Sequence, residues 1–155
     1  MTIRQASESD LSKIRAFVKK NPPLGFHSLY TYWVLCSQFN KLWFVFEEDK
    51  EILGFIAGVK NLSSVPTALI WQIGVDERMR GEGVSRQLID AFLASCRELH
   101  IEKGLVTIDP ENKSSLGLFQ SYFTKHSNFE RCGSLDLSDE FSEVNEYEDI
   151  YSFNV

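Results

Sequence analysis

Positive charge is scarce in this chain. Its 155 residues carry 16 Lys and Arg against 22 Asp and Glu, a formal net charge of -6, with a pI near 5.1. A nucleic-acid backbone rewards a basic face, so nucleic acid is not an expected partner. Long apolar runs are missing too. Nothing approaches the roughly 20 apolar residues that a membrane helix needs, and the residues after Met1 form no apolar signal segment. Cysteine is sparse: Cys36, Cys96 and Cys132 are an odd number without metal-ligand spacing. They read as reduced, largely buried thiols of a cytoplasmic protein, with no disulfide framework and no metal. Repeats, linkers and low-complexity segments are absent, so 1–155 reads as a single domain. What is present, 43% hydrophobic and 25% charged residues, is the composition of a soluble globular domain with one sizeable core.

The most informative stretch runs from Ala68 to Leu99. Leu69 to Val75 reads as a buried strand. A charged turn with two glycines follows, and an amphipathic helix begins near Val84. Val84, Leu88, Ala91, Phe92, Ser95, Cys96 and Leu99 fall on one helical stripe. A glycine-bearing loop at a helix N-terminus offers unpartnered amides and a favourable dipole, hence an anion site. Gly81 and Gly83 let that backbone approach a phosphate without a Cβ in the way. The dinucleotide fingerprint requires a further glycine where Arg86 stands, and the Gly-Lys-Ser/Thr of nucleotide-triphosphate loops is absent. What remains is Arg78-x-x-Gly81-x-Gly83.

Elsewhere, Thr2–Ala6 alternates as a first strand, and Ser7 with Asp10 has capping-box spacing. A first helix carries Leu11, Ile14, Phe17 and Val18. A second spans Ser28 to about Phe39, after the break at Asn21-Pro-Pro-Leu-Gly25. Trp43–Phe46 and Ile52–Val59 read as a hairpin. After the central helix come a strand, Gly104–Ile108, and a helix opening at Asp109-Pro-Glu-Asn112 and ending near Ser127-Asn128. Two strands close the chain, about Glu130–Leu137 and Glu146–Phe153.

The loop and this element order resemble the GNAT superfamily of N-acetyltransferases. The resemblance implies an α/β (α+β) fold, a mixed sheet of about seven strands with helices on both faces, and acetyl-CoA as co-substrate. It implies that backbone groups of Ile73 and Val75 pair with pantetheine. The amides of Arg80, Gly81, Glu82, Gly83, Val84 and Ser85 would hold the pyrophosphate, and an amide near Ile73 or Gly74 would polarise the thioester carbonyl. Asn112 matches an asparagine that many members place near pantetheine. The family's usual tyrosine, a proton donor to the leaving thiolate, is Phe119 here, with Tyr122 as a substitute one turn on. No cysteine falls beside the thioester, so direct attack by an amine is expected. A base must first deprotonate that amine; Glu148, Tyr30 and Asp76 are the candidates.

Pro22-Pro-Leu24, Ser28-Leu-Tyr30-x-Tyr32, Leu35-Cys36, Trp71-Gln72-x-x-Val75-Asp76 and Glu146-x-Glu148-x-x-Tyr151 resemble one branch, the diaminobutyrate acetyltransferases of ectoine biosynthesis. That resemblance implies acetylation of the side-chain amine of L-2,4-diaminobutyrate by a homodimer. It implies that Trp71, Tyr30 and Glu148 face the diamine, Glu148 and Tyr30 as catalytic groups. The branch has Asp-x-Asn where this chain has Gly25-Phe-His27, which makes His27 a candidate substrate contact, and a histidine near Asn145. Two alternatives stay open: another small amine or amino-acid derivative as acceptor, motivated by Gly25 and His27, and a non-catalytic acyl-CoA sensor, motivated by Phe119.

Overall fold

Residues 1–61, 65–123, 128–138 and 146–155 are described by the computed structural model. The first strand, β1 (Thr2–Gln5), runs into a capping box: Asp10 accepts from the Ser7 amide at 2.9 Å. Asp10 is buried, and Arg4 reaches both its oxygens at 2.8 Å. That guanidinium holds the Asp10 carboxyl far below the ordinary carboxylate range. The pair fixes α1 (Leu11–Lys20) to β1. Ser28 caps α2 (Leu29–Phe39), accepting from the Thr31 amide at 3.1 Å. β2 (Trp43–Glu48) and β3 (Glu51–Asn61) form the expected hairpin, turning through Asp49 and Lys50, both at positive φ. Then come β4 (Thr67–Val75), α3 (Val84–Glu98), β5 (Lys103–Ile108), α4 (Lys113–Phe123), β6 (Glu130–Asp136) and β7 (Tyr147–Asn154).

The strands make one sheet in the order β1-β2-β3-β4-β5-β7-β6. Only β4 and β5 run parallel; every other neighbouring pair is antiparallel. Helices cover both faces, as expected. Phe17 of α1 meets Phe55 of β3 edge-on, and Tyr32 of α2 meets Trp43 of β2. On the opposite face, Phe92 of α3 fills the space above Gly58, and Phe123 of α4 stacks on Phe153 of β7. The α3 stripe is buried from Val84 through Leu88, Phe92, Ser95 and Cys96, joined by Ile89 and Leu93.

Two details differ from the sequence reading. The last helix starts at Lys113 rather than at Asp109: residues 109–112 form a turn, with the Asn112 amide on the Asp109 carbonyl at 2.8 Å. Its expected end near Ser127 lies outside the described residues. Cys36 and Cys96 are buried, but Cys132 is exposed on β6, and all three are free. Among the described residues, no helix is long and apolar enough to cross a membrane.

Candidate functional site

The sheet comes apart at β4. Ala57 of β3 lies opposite Gln72, and the next residue, Gly58, lies opposite Ile70. Trp71 is thus the extra residue of a β-bulge, a device that bends a strand and ends its regular pairing. Pairing with β5 runs from Thr67↔Lys103 to Ile70↔Val106 and stops at the same point. Beyond it, β4 turns one hydrogen-bonding edge to open space. The Asp76 amide donates to the Leu53 carbonyl at 2.8 Å, toward β3. Backbone groups alternate along a strand, so those of Val75 and Ile73 face the gap.

A cleft of about 790 Å³ fills this gap. Ile73 and Val75 line one wall, Asn112, Ser115 and Leu118 line the other, and the turn before α3 closes one end with Gly81, Gly83, Val84 and Ser85. Gly81 and Gly83 have φ of 84° and 75°, a left-handed conformation that glycine adopts without strain. The turn has its own scaffold. Asp76 accepts from the Arg78 amide at 3.0 Å and from its guanidinium at 2.8 Å, and Arg78 also reaches Glu51 at 2.8 Å. Arg78 holds the Asp76 carboxyl below its usual range, so Asp76, a candidate base, serves the turn.

Not all six expected amides point outward. Those of Arg80 and Glu82 donate to the carbonyls of Glu77 and Met79 at 3.2 and 3.3 Å. The Glu82 side chain lines a separate depression with Met1 and Gln87. Gly81, Gly83, Val84 and Ser85 are left at the end of the helix, where the first amides have no internal partner. Asn112 lines the cleft but its carbonyl oxygen caps α4, accepting from the Ser115 amide at 3.1 Å. Its amide nitrogen is the group that remains for a ligand.

The expected proton donor is missing from the cleft. Phe119 is 1% exposed and stacks in a column with Phe123 and Phe129. Tyr122 does not substitute for it. Its hydroxyl donates to the Asp90 carboxylate on α3, and burial together with Asp90 raises its pKa. Neither residue lines the cleft. Burial also pushes the Cys36 thiol up to about 11 and the Cys96 thiol to about 12, so neither supplies a thiolate nucleophile at neutral pH.

The other half of the site lies on the α1–α2 face. The Trp71 ring is 5.0 Å from the His27 ring, 5.4 Å from Tyr32 and 5.9 Å from Trp43. Glu148 reaches the same face through the sheet register. Leu69 pairs with Leu105 and Thr107 pairs with Ile150, so Leu105, Thr107, Ile150 and Glu148 share the side opposite α3. Burial raises the Glu148 pKa first of all. The negative charges of Asp109, Glu146 and Asp149 add to the rise, and the Thr107 side chain opposes it. A carboxylate so placed is a better proton acceptor than a free one.

Tyr30 is not part of this ring cluster. It is 72% exposed in the first turn of α2 and stacks on Trp33 at 6.1 Å. The aromatic that meets Trp71 is Tyr32, two residues on and fully buried. Its hydroxyl donates to the Gln72 carbonyl oxygen at 3.1 Å, and the Gln72 amide donates to the Gly25 carbonyl at 2.6 Å. Sequence reasoning missed both residues as site elements. A signal existed for Gln72, the one polar side chain between Ala68 and Val75. Asn145 lies outside the described residues. No group of three or more His, Cys, Asp or Glu suited to a metal ion occurs among the described residues.

Residues 11–123 match the model of the acetyltransferase (GNAT) family. An L-2,4-diaminobutyric acid acetyltransferase of Halomonas elongata is 35% identical over 119 residues, 76% of this chain and 62% of that protein. The chain thus spans less than two thirds of that relative. A protein of the same name from Marinococcus halophilus is 30% identical over 139 residues, covering 88% of this chain and 78% of its own length. Among solved structures, the diaminobutyrate acetyltransferase EctA of Paenibacillus lautus, in complex with its substrate L-2,4-diaminobutyric acid and coenzyme A, superposes with a TM-score of 0.84. Its identity is 20%, over 99% of this chain and 93% of that one. Ard1 of Thermoplasma volcanium gives a TM-score of 0.81 at 22% identity, over 99% and 97%.

Proposed function

Because the chain belongs to the acetyltransferase (GNAT) family, we propose that it is an acetyl-CoA-dependent N-acetyltransferase acting on the side-chain amine of L-2,4-diaminobutyrate. The observation that carries this reading is the parting of β4 from β5 beyond Ile70, which leaves a strand edge and a helix N-terminus facing one cleft. Acetyl-CoA brings an acyl group already activated as a thioester. On this reading Ile73 and Val75 offer backbone groups to the pantetheine amides, as an added strand does. Gly81, Gly83, Val84 and Ser85 offer amides to the diphosphate, and Asn112 offers its amide nitrogen. The amide of Ile73 or Val75, rather than that of Gly74, which turns toward β3, faces the carbonyl oxygen as it gains charge.

Glu148 is the proposed base. It takes the proton from the incoming ammonium, and Trp71 and His27 flank that amine, with the aromatic face supporting its positive charge. Tyr30 is left as a rim residue, since its ring stacks on Trp33. The acceptor name comes from the relatives at 35% and 30% identity. A cytoplasmic homodimer completes the proposal. The exposed Leu135 and Tyr147 on the outermost pair of strands support a covered edge.

One observation favours a second reading, a different small amine. A Cβ at Gly25 would stand 3.2 Å from Nε2 of His27, so an imidazole occupies the space beside position 25, where the related branch carries an acidic residue. A panel of diamino acids, polyamines and amino-acid derivatives, followed by CoA release, decides the matter. Highest kcat/KM with L-2,4-diaminobutyrate is expected. A preference for another amine overturns the acceptor, and tight acetyl-CoA binding with no turnover on any amine overturns the enzyme in favour of a sensor.

A further inference from the structure

We infer that Gln72 is a positioning residue that sets the acceptor wall of the site in register with the strand that carries the thioester contacts, an inference that rests on the acetyl-transfer reading above. Gln72 is 8% exposed, and both ends of its carboxamide are engaged. The Tyr32 hydroxyl donates to the carbonyl oxygen, which fixes the flip of the amide. The nitrogen is thereby aimed at the Gly25 carbonyl, 2.6 Å away. A relay thus runs from α2, through β4, to the loop that carries His27.

The location gives the relay its meaning. Gln72 lies between Trp71, the bulge residue against which the His27 ring packs, and Ile73, whose backbone faces the cleft. A shift of the 25–27 loop relative to β4 would therefore move His27 relative to both. Inside, Gln72 is the loop's anchor. Outside, Arg15 holds it: its Nε donates to the His27 carbonyl at 3.1 Å, and its guanidinium lies 4.4 Å from the Phe26 ring. The inner anchor touches the site and the outer one stays on α1. Gln72 itself reaches no reacting atom; it acts through the position of the loop.

Gln72→Met keeps the length and removes both hydrogen bonds. The Gly25 carbonyl and the Tyr32 hydroxyl lose their partner, the 25–27 loop is released from β4, and the acceptor KM is expected to rise about tenfold. The kcat at saturating amine and the Kd for acetyl-CoA stay within about twofold, because the cleft wall and the glycine turn make no use of the carboxamide. Tyr32→Phe removes only the orienting hydroxyl and raises the acceptor KM in the same direction but less. In the double variant the two effects are less than additive, as for groups in one chain of hydrogen bonds.

Hydrogen–deuterium exchange gives a readout free of turnover. Amides of residues 25–29 exchange faster in Gln72→Met, and those of 81–86 do not. An unchanged acceptor KM, a loss of acetyl-CoA affinity in step with the KM, or unchanged exchange at 25–29 overturns the inference. Should the wild-type protein turn over no amine, the proposed function fails, and the exchange comparison still decides the role of Gln72.

Discussion

The two halves of the site are made of different material. On the proposed coenzyme side most of the candidate groups are main-chain: the edge of β4 at Ile73 and Val75, and the amides at the start of α3, joined by the side chain of Asn112. On the proposed acceptor side the candidates are side chains: Trp71, His27 and Glu148, with Tyr32 and Gln72 beside Trp71. The first half depends on dihedral angles and is indifferent to most side chains. The second depends on which side chain stands at each position. A cofactor shared by a whole family is suited to the first kind of surface, and an acceptor that varies between members to the second.

The sharpest break of this contrast is Glu148→Gln. Removal of a general base costs about 100-fold or more in kcat, whereas the acetyl-CoA Kd is expected to stay within about twofold; titration calorimetry beside steady-state rates separates the two. The pH profile belongs to the same test. In the proposed role the working form is the carboxylate, so the rate is expected to rise with pH as Glu148 loses its proton, and its raised pKa to set that rise above the range of a free glutamate. An inflection at the ordinary glutamate value would remove Glu148 from the role. Stability carries the opposite sign. A carboxyl whose folded pKa is raised contributes stability below its unfolded pKa and loses it as pH climbs through the folded one. Glu148→Gln is therefore expected to melt slightly higher at neutral pH, which a thermal scan against the wild type checks.

Next in size is Gly83→Val. A β-branched residue forced to φ near 75° costs roughly 1–2 kcal/mol or distorts the turn, so acetyl-CoA binds about tenfold more weakly while the acceptor KM holds. Glu82→Ala, in the same turn, sharpens the contrast: its side chain faces away from the cleft, and affinity is expected to change less than about twofold. The smallest effect belongs to Tyr30→Phe. An exposed hydroxyl outside the Trp71 cluster is expected to alter kcat/KM by less than about threefold, and a hundredfold loss would restore Tyr30 as a catalytic group.

Much of the fold was legible because the signals are local. Alternation marks Thr2–Gln5, helical stripes mark α1 and α3, and Gly81 with Gly83 marks a turn whose φ values do require glycine. What escaped depends on non-local register. Tyr30 and Tyr32 are two positions apart, about 200° around a helix, and α2 is apolar most of the way round. Only the packing of that helix on Trp43 and Trp71 tells which ring turns inward. The same holds for Phe119 and Tyr122, where stacking on Phe129 and the Asp90 contact decide the outcome. Glu82 looked equal to its neighbours because a turn's internal hydrogen bonds cannot be counted from residue names.

The bulge at Trp71 makes the proposed site a matter of parity. Strike out that single residue and the strand's count becomes even again. Gln72 and Ile70 would then stand opposite Ala57 and Gly58 in unbroken alternation, with Ile73 and Val75 on their present faces, and the ladder to Val106 would be free to continue toward Thr107 and Ile108. The seam would heal into an ordinary seven-stranded sheet, and the place proposed for the thioester would be lost. In this chain the cleft is kept ajar by one odd number.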